Sequence, residues 1–142
     1  MTSKAPTQHS ITVKSLPFAI AQVSKQLVAK LAENNFNEED IFAVRLSLEE
    51  AFINAVLHGN DLDPEKVVIV KYCVSNDKVE VSILDEGPGF NPVKVPDPRS
   101  NENLYKNQGR GLLLIRSYMD RVDFNESGNC VRMVRYKGSS LP

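Results

Sequence analysis

The chain has 142 residues, of which 42% are hydrophobic and 25% are charged, and its net charge is −1. This length and composition are typical of one soluble globular domain and exclude wholesale disorder. The balanced charge predicts no broad attraction to nucleic acid or to an anionic membrane. No apolar run approaches the roughly 18 residues that cross a bilayer, and residues 1–10 lack the apolar core of a signal peptide. We therefore expect a cytoplasmic protein.

Cysteine and histidine are too scattered to predict a cross-link or a structural metal site. Cys73 and Cys130 lie far apart and form neither a disulfide framework nor a CxxC pair. The two histidines, His9 and His58, are equally dispersed, so a structural zinc site is not expected.

The first part of the chain predicts a strand and a helix. After a flexible tail over residues 1–10, Ile11 and Val13 fit a short strand. Pro17 suits the first turn of a helix, where its missing N–H costs nothing, and the apolar stripe of this helix extends to about Asn34.

The second helix has a clear start and a clear end. Asn37 is a good N-cap, because its side chain can accept a hydrogen bond from a free backbone N–H. The acidic residues that follow complement the positive end of the helix. We expect the helix to run from about Glu38 to His58, with Gly59 as its stop.

The pattern then changes to the alternation of strands. Residues 67–75 and 78–85 predict two strands that are joined by the turn signal Asn76-Asp77. Residues 87–109 show no convincing period and contain several prolines. A loop of this length inside a compact domain is usually functional, and we predict a lid at about 90–109.

The last part of the chain predicts a third helix over 111–119 and a hairpin of strands over 122–126 and 131–136. The whole order predicts an α+β fold: a two-layer α/β sandwich with three helices on one face of a mostly antiparallel mixed sheet. Hairpins dominate the connections, which argues against a parallel doubly wound fold. We expect a single domain over 11–138 and a short tail over 139–142.

Glu50 and Asn54 are the first candidate site residues. One turn apart on the second helix, they lie within about 40° of each other. The rest of this helix is so apolar that it should be buried nearly all round. A buried carboxylate and amide are costly unless they are paired or bind an ion, so the pair could face a ligand or a metal. An exposed stripe on a surface helix is the alternative.

Asp85 is the second candidate. It shares a strand face with the apolar residues Val79 and Ile83, so its carboxylate should point inward and needs a donor. Gly87-Pro88-Gly89 follows and allows a close backbone approach. The alternative is an aspartate that only caps a glycine turn.

Two further segments contain candidate site residues. Gly109-Arg110-Gly111 precedes the third helix, and a glycine-rich helix start can present free N–H groups to a phosphate; a flexible loop end is the alternative. No Walker-type phosphate loop is present. Asn129 alternates with Val131 and Met133 at the start of the last strand, so the three side chains should lie on the same face of that strand. If that face is the core, Asn129 could contact a ligand; the alternative is a plain turn residue.

Together these motifs are far more specific than any one alone. The Glu50-to-Asn54 spacing, the segment 85–89 and the segment 109–111 resemble the N, G1 and G2 boxes of the GHKL nucleotide-binding superfamily. Residues 48–59 and 111–120 resemble the anti-sigma-factor serine kinases of that superfamily. The resemblance covers about residues 11–137 and implies a Bergerat-type ATP-binding fold.

The resemblance implies a role for each box. Asn54 would coordinate Mg²⁺ that bridges the ATP phosphates, and Glu50 would act as the general base. Asp85 would accept a hydrogen bond from the adenine amino group. Gly87 and Gly89 would let the backbone pass close to the nucleotide.

The lid and the last hairpin complete the implied ATP site. Gly109 and Gly111 would hinge the lid and seat the phosphates, and Lys106 and Arg110 would contact them from the lid. Many superfamily members have threonine where Asn129 stands; asparagine can still donate and accept a hydrogen bond at the adenine.

The implied function is an ATP-dependent protein-serine kinase and anti-sigma factor. It would phosphorylate a STAS-like anti-anti-sigma protein and bind a sigma factor, as a homodimer. One alternative is a regulatory module that binds ATP and partners without phosphoryl transfer. Another is a detached catalytic domain of a histidine kinase, although no long helix with a phospho-acceptor histidine precedes the domain.

Overall fold

The structure is a computed structural model that describes residues 7–88 and 106–141, with the side chains of residues 106–110 left out. In chain order, the elements are β1 (Gln8–Lys14), a 3₁₀ turn (Pro17–Ala19), α1 (Ile20–Glu33), α2 (Glu38–Asn54), a π-helical turn (Ala55–Gly59), β2 (Val67–Val74), β3 (Lys78–Leu84), α3 (Lys106–Tyr118), β4 (Arg121–Phe124) and β5 (Cys130–Tyr136).

The five strands form one sheet in the order β1-β2-β3-β5-β4, and the four strand pairs run antiparallel. The pairing of β3 with β5 places Leu84 opposite Cys130. The end of β3 and the start of β5 therefore lie side by side.

The helices cover one face of the sheet, because alternate strand residues point toward them. A single core joins both layers, and it includes from the sheet Val70, Tyr72, Val81, Ile83 and Met133 and from the helices Leu27, Leu31, Leu48, Phe52, Val56 and Ile115. Burial of this apolar surface is the main stabilising contribution. The predicted α+β two-layer sandwich is confirmed.

The bounds of α2 agree closely with the prediction. The Asn37 side chain accepts a hydrogen bond of 2.7 Å from the backbone N–H of Asp40, as expected for an N-cap. After Asn54 the helix continues as the π-helical turn, in which the N–H of Asn60 bonds to the carbonyl of Ala55 at 2.7 Å.

Two predicted boundaries were wrong. β1 begins at Gln8, three residues before Ile11, because the ring of His9 stacks on that of Tyr72 and extends the pairing with β2. α3 begins at Lys106 and not at Gly111, so both glycines of the Gly109-Arg110-Gly111 motif lie inside the helix.

Burial explains why α3 tolerates its glycines. Leu112 and Ile115 of α3, and Met119 directly after it, are at least nine-tenths buried, and their packing offsets the cost of about 1 kcal/mol for each glycine in a helix. Residues 89–105, which include Gly89 and most of the predicted lid, lie outside the described residues. Within the described ranges, no helix has the length and apolar character needed to cross a bilayer.

Candidate functional site

Asp85 follows the last residue of β3 and is held by the backbone on both sides. Its N–H donates to the carbonyl of Asn129 at 2.9 Å, which continues the pairing of β3 with β5. Its Oδ1 accepts a hydrogen bond of 2.8 Å from the N–H of Gly87. The side chain is half-buried, so the predicted inward carboxylate has a backbone donor and a defined orientation.

The carboxylate of Asp85 packs against the end of the second helix. A Cβ atom on Gly59 would lie only 2.7 Å from Asp85 Oδ1 and would overlap the rest of the carboxylate. A Cβ atom on Gly87 would overlap the carbonyl oxygen of Gly59. Both glycines are therefore needed for a close approach between the helix end and the turn after β3.

This packing also changes the acidity of Asp85. Burial raises the pKa of its carboxyl group above the usual value, and the N–H of Gly87 and the charge of Lys66 offset part of the shift. Partial removal from water disfavours the charged form. A carboxylate in this position gains more from a ligand's hydrogen-bond donor than a fully hydrated one does.

Glu50 and Asn54 face α3 at Gly111. Both residues are half-buried. A Cβ atom on Gly111 would lie 2.9 Å from Asn54 Nδ2 and 3.2 Å from Glu50 Oε2. The two polar side chains thus lie between the helices where α3 has no side chain, and the alternative of an exposed stripe does not fit.

The end of α2 links these two groups of residues. Gly59 follows Asn54 by five residues, which corresponds to about 7 Å along a helix. The carboxylate of Asp85 lies at one end of this segment, and the side chains of Asn54 and Glu50 lie at the other. The arrangement offers an acceptor at one end and oxygen ligands for a cation at the other.

Asn129 lies directly beside Asp85, across the pairing of β3 with β5. Its carbonyl accepts the N–H of Asp85, while its side-chain Oδ1 accepts a hydrogen bond of 2.6 Å from Asn125 Nδ2 within the hairpin. The main chain of Asn129 therefore positions Asp85, and its side-chain oxygen stabilises the turn.

The remaining predicted site residues fall outside what the structure describes in full. Gly89 is among residues that are not described, and nothing is described of the side chains of Lys106 and Arg110. The backbone of Gly109 lies within α3, so Gly109 and Gly111 are helical residues and not a loop that precedes the helix.

Sequence reasoning missed one residue of this region, Asn60. Its side chain is fully buried and donates to Ser15 Oγ and to the carbonyl of Val67, both at 3.0 Å. Its Oδ1 accepts the N–H of Glu86 at 2.8 Å. An asparagine after a helix-ending glycine resembles an ordinary loop residue, so no local signal marks it.

Comparison of the sequence with known proteins identifies its family. The profile of the histidine kinase-like ATPase domain matches residues 13–135. The anti-sigma F factor of Thermoanaerobacter sp. (strain X514) is 26% identical over 106 residues, covering 71% of this chain and 73% of that protein. The anti-sigma F factor of Bacillus cytotoxicus is 27% identical over 119 residues, covering 80% of this chain and 82% of that protein.

A solved structure has the same fold. The crystal structure of the RsbU and RsbW domains of Rv1364c from Mycobacterium tuberculosis superposes with a TM-score of 0.59 at 19% identity. The match covers 95% of this chain and 34% of that longer chain. Because the profile of the histidine kinase-like ATPase domain spans most of the sequence, the chain belongs to that family, and the resemblance to the GHKL superfamily is confirmed.

Proposed function

We propose that this protein is an ATP-dependent protein-serine kinase and anti-sigma factor. It would phosphorylate a STAS-like anti-anti-sigma protein and bind a sigma factor, and act in the cytoplasm as a homodimer. The observation that carries the proposal is the placement of Glu50 and Asn54 against Gly111, with Asp85 at the other end of the same helix segment. The relatives named anti-sigma F factor support the choice of partners.

The side chains present fit magnesium and ATP. Adenine carries an amino donor where guanine carries an oxygen acceptor, and the carboxylate of Asp85 can only accept. The side-chain oxygen of Asn54 is the type of hard ligand that Mg²⁺ prefers. When bound, the ion would neutralise charge on the phosphates, and Asn54 would hold it.

Glu50 is the residue that we assign to proton transfer. Its carboxylate lies beside Asn54, at the end of the site opposite Asp85. In the proposed reaction the serine oxygen of the partner bonds to the γ-phosphorus, the bond to ADP breaks, and the serine proton passes to Glu50. Phosphoryl transfer depends mainly on alignment and charge neutralisation, which this site would supply.

The Glu50→Ala variant tests the proposal. We expect Mg-ATP affinity to stay within about threefold of the wild type, while transfer to a STAS-like protein falls by on the order of 100-fold or more, in the range for loss of a general base. Glu49→Ala is a matched control, because Glu49 is exposed on the same helix and contacts Ser24 Oγ. Binding is measured by calorimetry and transfer by radiolabelled phosphate.

The outcomes separate the candidate functions. Equal transfer by Glu50→Ala and the wild type would contradict the assigned base. A wild-type protein that binds ATP and its partner without any transfer would be a binding module instead. Acid-labile phosphohistidine in place of acid-stable phosphoserine would indicate a histidine-kinase catalytic domain.

A further inference from the structure

Asn60 connects three parts of the protein that are distant in the sequence. Its amide group donates to the hydroxyl of Ser15, directly after β1, and to the carbonyl of Val67 in β2. Its carbonyl oxygen Oδ1 accepts the N–H of Glu86, the residue that directly follows Asp85. Each polar atom of this fully buried side chain is therefore used to tie one element to another.

The backbone around Asn60 is equally constrained. Its N–H bonds to the carbonyl of Ala55 within the π-helical turn, and such turns occur often at functional sites. Asp61 and Leu62 follow with φ angles of 52° and 57°. Two consecutive non-glycine residues in the left-handed region are costly and persist only where the surroundings impose them.

The turn from Asp85 to Gly87 is tied to the rest of the protein at several points. The side chain of Glu86 accepts the N–H of Val67 in β2 at 3.3 Å. The N–H of Gly87 bonds within the turn, to Asp85 itself. The N–H of Asp85 ties the turn to β5. Among the described residues, the bond from the Glu86 N–H to Asn60 Oδ1 joins the backbone of this turn to the residue that follows Gly59. It acts together with the packing of Asp85 and Gly87 on Gly59 to place the Asp85 carboxylate.

We infer that Asn60 is a positioning residue that sets the preference for adenine over guanine through the Glu86 N–H. This inference rests on the proposed ATP site. In the proposed site the two purine bases would differ at the position facing Asp85, where adenine has an amino donor and guanine an acceptor oxygen. If the Asp85 carboxylate is displaced, it no longer accepts a hydrogen bond from adenine, and the protein loses much of its preference for ATP over GTP.

The test compares Asn60→Ala with Ser15→Ala. The second variant removes one partner of the same side chain but leaves the bond from Glu86 intact. Calorimetry with Mg-ATP and Mg-GTP gives the ratio of affinities, and denaturant unfolding gives the stability of each variant. We expect the ratio to fall about tenfold in Asn60→Ala, as for loss of one hydrogen bond to a charged group, and to stay within about twofold in Ser15→Ala.

A purely structural role for Asn60 would lower stability in both variants and leave both ratios unchanged, which would overturn the inference. Wild-type protein that fails to bind Mg-ATP would instead overturn the proposed function. A second measurement, amide hydrogen exchange of the nucleotide-free wild type, tests the bond between Glu86 and Asn60 even where Asn60→Ala does not fold. We expect the Glu86 N–H to exchange on the order of 100-fold slower than in an unstructured peptide; unprotected exchange would contradict the anchoring bond.

Discussion

The carboxylate of Asp85 lies directly against the backbone of Gly59, so the end of the second helix and the end of β3 meet without an intervening side chain. Gly59 closes the π-helical turn and also leaves the space that the carboxylate occupies. The proposed recognition of adenine thus depends on the contact between the Asp85 side chain and the backbone of Gly59.

Gly59→Ala should weaken ATP binding more than it weakens the fold. The added Cβ meets the carboxylate of a side chain and no backbone atom, so Asp85 can rotate away from it. We expect a cost in stability of about 1 kcal/mol, at the low end for an overpacked position. A displaced carboxylate no longer meets the adenine amino group, and we expect about tenfold weaker Mg-ATP binding in calorimetry.

Gly87→Ala is the contrasting variant. Its added Cβ meets the carbonyl oxygen of Gly59, which is backbone and cannot swing away. We expect the free energy of unfolding to fall by about 1–3 kcal/mol, as for overpacked positions. Equal losses of stability in Gly59→Ala and Gly87→Ala would show that the two contacts are not as distinct as their geometry indicates.

Asp85→Asn should stabilise the nucleotide-free protein at neutral pH while weakening ATP binding. Burial raises the pKa of the Asp85 carboxyl group, so the ionised form is less stable in the folded protein than in the unfolded chain. The amide removes that charge and still offers an oxygen to the N–H of Gly87. Thermal unfolding and calorimetry at pH 7 measure both effects.

The pH dependence gives this variant a second check. For a carboxyl group whose folded pKa is raised, stability is fully present below the unfolded pKa and is lost as the pH rises through the folded value. The advantage of Asp85→Asn should therefore grow as the pH rises from below about 4, near the ordinary value for aspartate, and level off above the raised pKa. An advantage that shrinks over this range would contradict the assigned shift.

Features of the fold that depend on interactions between residues close in the sequence were predicted well. The bounds of α2 depend on local signals, the N-cap Asn37 and the stop Gly59, and they were predicted closely. The side of β3 that carries Asp85 was also predictable, because alternation alone determines the face of a strand.

The misses have long-range causes. α3 starts earlier than its glycines indicate because Ile115 and its apolar neighbours are buried in the core, a stabilisation that local propensity does not contain. Asn60 bonds to Ser15 and to Glu86, which are distant in the sequence and are brought to it only by the folded sheet.

Gly111→Ala should separate helix stability from the proposed magnesium site. Replacing glycine by alanine inside a helix favours the helix by up to about 1 kcal/mol. The new Cβ, however, would lie 2.9 Å from Asn54 Nδ2 and 3.2 Å from Glu50 Oε2, so Asn54 must shift and Glu50 must give way slightly. We expect an unchanged or higher unfolding temperature and about tenfold weaker magnesium-dependent ATP binding. ATP binding at wild-type strength would argue against Asn54 as the ligand.

The last prediction concerns the opposite end of α2, where Arg135 and Asp40 form a fully buried ion pair of 2.8 Å. Arg135 also donates to the carbonyl of Tyr118 at the end of α3, at 2.7 Å. Arg135→Met leaves the Asp40 carboxylate buried without its cation, and we expect denaturant unfolding to show a loss of about 3–5 kcal/mol.

The double variant Asp40→Asn with Arg135→Met distinguishes a broken pair from lost packing. Because it leaves no unpaired charge in the core, it should be more stable than Arg135→Met alone. A double variant that is less stable than the single one would contradict this assignment. Since Asp40 lies near the start of α2 and Asn60 just beyond its end, about 30 Å away along a helix, the folded fraction of each variant should keep the wild-type preference for Mg-ATP over Mg-GTP.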